Sequence, residues 1–175
     1  MTLAIGDPAP RLSLTDTDGG EHALADTGAI TVLAFTCNHC PYALAWHGRL
    51  LDAARDYEAR GVRFFAINPN DADRYPADSL EAMRERVDAD GGWPLPYLRD
   101  DTQDAAREYG AKTTPDLFVL DAEGRLRYRG APDSDHGDPS LNAAWLREAL
   151  DALLVGDEPA QPETDPVGCS IKWKQ

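Results

Sequence analysis

Lysine is scarce in this chain: Lys112, Lys172 and Lys174 are the whole supply among 175 residues, and the other basic positions are arginines. Seventeen bases face 31 acids, for a formal charge of −14. So acidic a surface argues against nucleic acid and anionic membranes as partners. No stretch approaches the length of a membrane span. The first residues, Met1-Thr2-Leu3-Ala4-Ile5-Gly6-Asp7-Pro8, have neither a basic start nor an apolar run, so the expectation is a chain without a signal peptide, in the cytoplasm. Cysteine is sparse too, with three in all. In that compartment a cysteine pair is more often catalytic or metal-binding than structural. At this length and 42% hydrophobic content the chain suits one domain, expected over 1–155, with a Pro- and acid-rich tail at 156–175 packed on it.

The chemistry concentrates in one stretch. Thr31-Val32-Leu33-Ala34-Phe35-Thr36 is uncharged and rich in β-branched and apolar types, which reads as a buried strand. Cys37-Asn38-His39-Cys40 follows, and Pro41 suits the first turn of a helix, where a missing N–H matters least. A Cys-x-x-Cys at such a junction sets its first sulfur against free backbone N–H groups and the positive end of a helix dipole. The second sulfur lies within reach of a disulfide. The pattern is that of a redox site, with Cys37 the expected thiolate and Cys40 the less acidic partner.

Around this stretch the periodicities predict a β-hairpin across Thr15–Gly20, a helix from Pro41 to about Arg60, and a strand over Val62–Ile67. A helix carrying Leu80, Met83 and Val87 and a short helix capped by Asp101 and ending at Gly110 come next. A second hairpin across Asp121–Gly124 and a helix over Ser140–Leu154 complete the order. Strands alternating with helices and then an antiparallel pair imply an α/β fold, a mixed sheet with helices on both faces. The ending Gly168-Cys169-Ser170-Ile171-Lys172-Trp173 alternates like a short docked strand.

Four segments together resemble the thioredoxin superfamily, in particular its redoxin branch of alkyl hydroperoxide reductase/thiol-specific antioxidant proteins. They are Gly6-Asp7-Pro8-Ala9-Pro10, Cys37-Asn38-His39-Cys40-Pro41, Tyr109-Gly110-Ala111-Lys112-Thr113-Thr114-Pro115, and Phe118-Val119-Leu120-Asp121 with Gly124. The resemblance implies a thioredoxin-like fold with an N-terminal hairpin extension, a cis peptide at Pro115, and Thr114 backbone laid beside Cys37, where a substrate's extended chain can pair with it. It implies a thiol–disulfide oxidoreductase needing no cofactor and no metal, working on protein or small-molecule thiols and disulfides. Cys37 is then the nucleophile and Cys40 the resolving thiol, supported by Thr36, Asn38, His39, Thr114 and Pro115. His39 resembles the choice of disulfide oxidases and isomerases, implying a couple more oxidising than the ~−270 mV of thioredoxin.

The chain departs from its relatives at three points. Thr36 stands where thioredoxins carry Trp, no acid lies on Thr31–Thr36, and the Pro-x-x-x-Thr-x-x-Cys of peroxiredoxins is missing. Two alternatives stay open beside the disulfide reading: a peroxiredoxin-like antioxidant peroxidase with Cys37 oxidised by peroxide, and a copper- or zinc-binding module. Cys169 is either an additional redox thiol reaching the pair, a link between two chains, or an inert tail cysteine. A monomer and a homodimer are equally compatible with the sequence. His47 reads as a surface or half-buried histidine, and His136 as part of a solvated acidic loop, Asp133–Asp138.

Overall fold

Strand β3, Thr31–Phe35, is buried along its whole length, as its unbroken apolar run requires of a strand covered on both faces. A computed structural model describes residues 3–175, so Met1 and Thr2 of the N-terminal octet lie outside the described residues. β3 is an interior strand, fifth in a seven-stranded mixed sheet of order β2-β1-β5-β4-β3-β7-β8. The hairpin β1 (Ser13–Asp16) and β2 (Glu21–Ala23) forms one edge. β4 (Arg63–Asn68) and β5 (Tyr97–Arg99) run parallel to β3 on that side. On the other side β7 (Asp116–Leu120) and β8 (Leu126–Gly130) are antiparallel, with Phe35 opposite Asp116. A separate two-stranded pair joins β6 (Thr113–Thr114) to β9 (Cys169–Ser170).

Alternation along β3 feeds two cores. Val32 and Ala34 point into one cluster with Leu50, Ala54 and Tyr57 of α1 (Pro41–Glu58), Met83 of α2 (Leu80–Ala89), and Leu146 and Leu150 of α4 (Ala144–Leu154). Leu33 and Phe35 point into the other, with Ala105, Ala106 and Tyr109 of α3 (Asp104–Tyr109) and Ile171 of the tail. Phe35, Tyr109 and Phe118 pack there at ring separations of 5.6–6.2 Å. This is the thioredoxin-like layering that the sequence implies: helices on both faces of a mixed sheet.

Three expectations need correction. β5 was no part of the predicted order; it is three residues long, just after Trp93-Pro94-Leu95-Pro96, too short to show a period. The short helix α3 starts at Asp104, and the acid at its head is buried Asp100, which accepts from the N–H of Ala105 (3.2 Å) and Ala106 (2.8 Å), while Asp101 stays out in solvent. The last helix does not begin at Ser140: Asn142 and Ala143 both have φ of 55°, a left-handed kink after a 3-10 turn at Pro139–Leu141, and α4 starts beyond it.

The acidic loop near His136 is exposed at Ser134, Asp135 and Gly137, as expected, but it is anchored by one buried acid. Asp133, 2% exposed, takes bonds from Trp46 Nε1 (2.9 Å) and the Arg49 guanidinium (2.9 and 3.0 Å). Arg49 also binds the carbonyls of Asp135 and His136. His136 packs against Tyr42 with ring centroids 4.4 Å apart. His47 is half-buried against Trp93 at 4.5 Å.

Candidate redox site

The two sulfurs of the pair sit at the end of β3, where the N–H of buried Thr36 still bonds Ile67 O at 2.8 Å before the chain turns away. Cys40 is the residue before the first turn of α1, with extended backbone (φ −76°, ψ 124°), and Pro41 follows it as the first helical residue. Both Cys37 and Cys40 are fully buried. Cys40 N–H points at Cys37 Sγ, 3.3 Å away.

Thr114 binds both sulfurs. Its hydroxyl lies 3.4 Å from Cys37 Sγ, and its carbonyl accepts from the Cys40 thiol at 3.1 Å. The Thr114–Pro115 peptide is cis, as the resemblance implies. The edge beside it does not stand open for a substrate chain. The protein's own tail occupies it: Thr114 pairs with Cys169 and Thr113 with Ser170 in an antiparallel register. Gly168 crosses so close over Thr114 that a Cβ there would collide with the Thr114 carbonyl. The tail is tied down beyond this point by Asp71 N–H to Lys172 O (2.8 Å), Gln103 Nε2 to Lys172 O (2.9 Å) and Arg74 to Trp173 O (2.7 Å).

The acidity order differs from the expectation drawn from the helix start. Burial, the largest cause, pushes the Cys37 thiol up to about 11, and the Asp78 carboxylate beside it adds to the rise. Bonds from Thr114 and from the N–H of His39 and Cys40 oppose this without reversing it. For Cys40, burial also works against ionisation, but it is outweighed by hydrogen bonds from the Cys169 thiol and from the backbone N–H of Ala43 and Cys169, so the thiol is lowered. Cys169 is raised, by burial and by sharing its proton with Cys40. Of the two thiols Cys40 is therefore the more acidic, and it stands nearer the helix N-terminus than Cys37 does. Reading the motif alone misses this because it counts the helix dipole and omits the desolvation.

A buried acid, absent from β3, arrives from elsewhere. Asp78, fully buried at the end of a 3-10 turn (Pro76–Asp78), accepts from Asn38 N–H at 2.7 Å, Asn68 Nδ2 at 3.1 Å and Asn70 Nδ2 at 3.0 Å. His39 Nδ1 lies 2.6 Å from Oδ2, the oxygen that also takes the Asn70 bond, with the ring stacked on Tyr75. Asn38 is equally fixed, its Oδ1 accepting from Tyr97 OH (2.8 Å) and Arg86 (2.9 Å), and Arg86 also reaches the Cys37 carbonyl (3.2 Å). Sequence reasoning missed Asp78 and its two asparagines; the Asn68-Pro69-Asn70 spacing after β4 is their only local trace.

Cys37, His39 and Asp78 bring potential metal-ligating atoms within 4.8 Å of one another. Two ligand atoms on one tetrahedral zinc stand roughly 3.3 Å apart, given bonds of about 2.0–2.1 Å. The 2.6 Å between His39 Nδ1 and Asp78 is too short for two ligands of one ion, so the three groups as they stand do not fit a metal.

Comparison with known proteins agrees with this geometry. Over 129 residues the chain is 27% identical to "Thiol-disulfide oxidoreductase ResA" of Geobacillus thermodenitrificans, covering 71% of this chain and 68% of that one. The crystal structure of an uncharacterized conserved protein from Geobacillus kaustophilus is 40% identical with a TM-score of 0.92, covering 99% of this chain and 94% of that one. A hypothetical protein from Sinorhizobium meliloti 1021 is 35% identical with a TM-score of 0.91, covering 99% and 97%. The model of the AhpC/TSA family matches residues 5–129, the span that holds the cysteine pair, Asp78 and the cis-proline. On that match the chain belongs to the AhpC/TSA family.

Proposed function

We infer that the chain is a thiol–disulfide oxidoreductase that cycles Cys37 and Cys40 between dithiol and disulfide, with protein thiols and disulfides as its substrate class. One observation carries this: Thr114 hydrogen-bonds both sulfurs of the pair. The relative named a thiol-disulfide oxidoreductase supports the same chemistry.

Exchange proceeds by attack of a thiolate on a disulfide sulfur, and the sulfur with the lower pKa leaves faster. Of the two sulfurs Cys40 is the one whose ionised form its surroundings favour, while burial holds the proton on Cys37. Peroxide consumption has weaker support. Burial keeps Cys37 protonated, and Arg86 reaches its carbonyl rather than its sulfur.

The test is dithiol-driven reduction of a protein disulfide such as insulin, by wild type and by Cys37→Ser and Cys40→Ser. Turnover by wild type and its loss in both variants is expected. Wild-type rates no faster than the dithiol alone would overturn the reading.

A further inference from the structure

Cys37 and Cys40 are fully buried, so with the tail docked no substrate sulfur can meet either one directly. Cys169 differs: it is only part-buried, and it packs against the cluster formed by Cys37, Cys40 and Ala43. The tail holds it there by strand pairing with Thr114, by the close crossing at Gly168, and by buried Ile171.

We propose that Cys169 is a third redox thiol, the entry point through which disulfide bonds pass between a substrate and the buried Cys37–Cys40 pair. This rests on the oxidoreductase reading and names the sulfur that meets the substrate first.

The steps balance without any reagent beyond the substrate disulfide. Cys169, as its thiolate, attacks an external disulfide; one substrate thiol leaves and a mixed disulfide forms on Cys169. The neighbouring Cys40 thiolate attacks Cys169 Sγ, the second substrate thiolate leaves and takes a proton from water, and a Cys40–Cys169 disulfide is made. Cys37 then gives up its proton and attacks Cys40 Sγ. The Cys37–Cys40 bond forms, the Cys40–Cys169 bond breaks, and Cys169 takes the proton. Two electrons pass from the chain to the substrate in the first two steps. The third is an internal exchange. Run backwards, the same path oxidises a substrate dithiol to its disulfide and returns Cys37 and Cys40 to thiols.

The probe is glutathione disulfide acting on the full chain. In Cys37→Ser the relay stalls at its second step. Non-reducing peptide mass spectrometry, after blocking free thiols, is expected to find Cys40 and Cys169 joined within one chain. Adding Gly168→Ala to that variant lowers the yield of the joined peptide at least about tenfold, because the tail's tether sets the effective concentration of its thiol. In the otherwise native chain, Cys169→Ser and Cys169→Ala each slow formation of the Cys37–Cys40 disulfide by about tenfold or more. Glutathione retained singly on Cys169, a linkage only between two chains, or wild-type rates in both Cys169 variants would each overturn the relay. If the wild type still forms Cys37–Cys40 and reduces insulin, the oxidoreductase reading survives that failure. A wild type that does neither takes both down.

Discussion

Cys169 lies directly across an antiparallel strand pair from Thr114, the residue that precedes the cis-proline and binds both buried sulfurs. The groove edge on which an extended substrate chain would pair is thereby filled by the protein itself.

Hydrogen bonding from Cys169 helps lower the Cys40 thiol, so Cys169→Ala should raise the Cys40 pKa. Thiolate absorbance followed against pH compares Cys37→Ser, where Cys40 is the more acidic of two thiols, with Cys37→Ser/Cys169→Ala, where Cys40 titrates alone. A titration that Cys169→Ala leaves in place would show that the tail does not set the charge of the pair.

Asp78 acts on Cys37 in the opposite sense. Its negative charge helps hold that thiol protonated. In Asp78→Asn the pH profile of Cys37 alkylation should move to lower pH. The same change weakens the acceptor shared by Asn38, Asn68, Asn70 and His39, at a cost of about 1–3 kcal/mol in urea unfolding. An alkylation profile shifted upward instead would contradict the assignment of Asp78 as the neighbouring charge.

The Arg49–Asp133 pair is buried on both sides and also fixes Trp46. Asp133→Ala strands a guanidinium in the interior, which costs about 3–5 kcal/mol. Chemical denaturation measures the loss directly. A loss under about 1 kcal/mol would mean that the loop relaxes to let Arg49 reach water.

Two buried groups give stability opposite pH slopes. Burial raises Asp116 from 3.8 to about 6, and its Oδ1 has no hydrogen-bond partner. The folded state therefore holds that proton where the unfolded chain has released it, and stability falls as pH rises from about 4 to 6. Burial, with the Arg86 charge, lowers His47 from 6.5 to about 4, so its contribution is complete above 6.5 and is lost as pH falls toward 4. Each amounts to about 3 kcal/mol, and in wild type they offset. Relative to wild type, Asp116→Asn should gain stability as pH rises across that window, and His47→Phe should lose it. Unfolding free energies at pH 4, 5 and 6.5 compare the three chains; parallel curves would refute both assignments.

Much of this was legible from local pattern. The unbroken apolar run of β3, the helical spacing of Trp46, Leu50, Ala54 and Tyr57, and the turn residues of both hairpins each obey one period over enough residues to be read. The resemblance supplied the cis-proline, which no local rule favours. What escaped depends on contacts between distant segments. β5 is too short to carry a period. Asp78 joins the site only because β4 and a 3-10 turn fold it over Cys37. The raised Cys37 thiol and the lowered Cys40 thiol follow from burial and from a cysteine far along the chain, neither of which a four-residue motif encodes.

Since β9 lies far downstream of the cysteine pair, a polypeptide emerging from the ribosome presents Cys37 and Cys40 long before Gly168 and Cys169 are made. A nick upstream of Gly168 would leave the same two thiols uncapped, so an unbroken connection to β9 doubles as the safeguard on the dithiol. Alkylation of Cys37 should accordingly be faster in a chain cut before Gly168 than in the intact one.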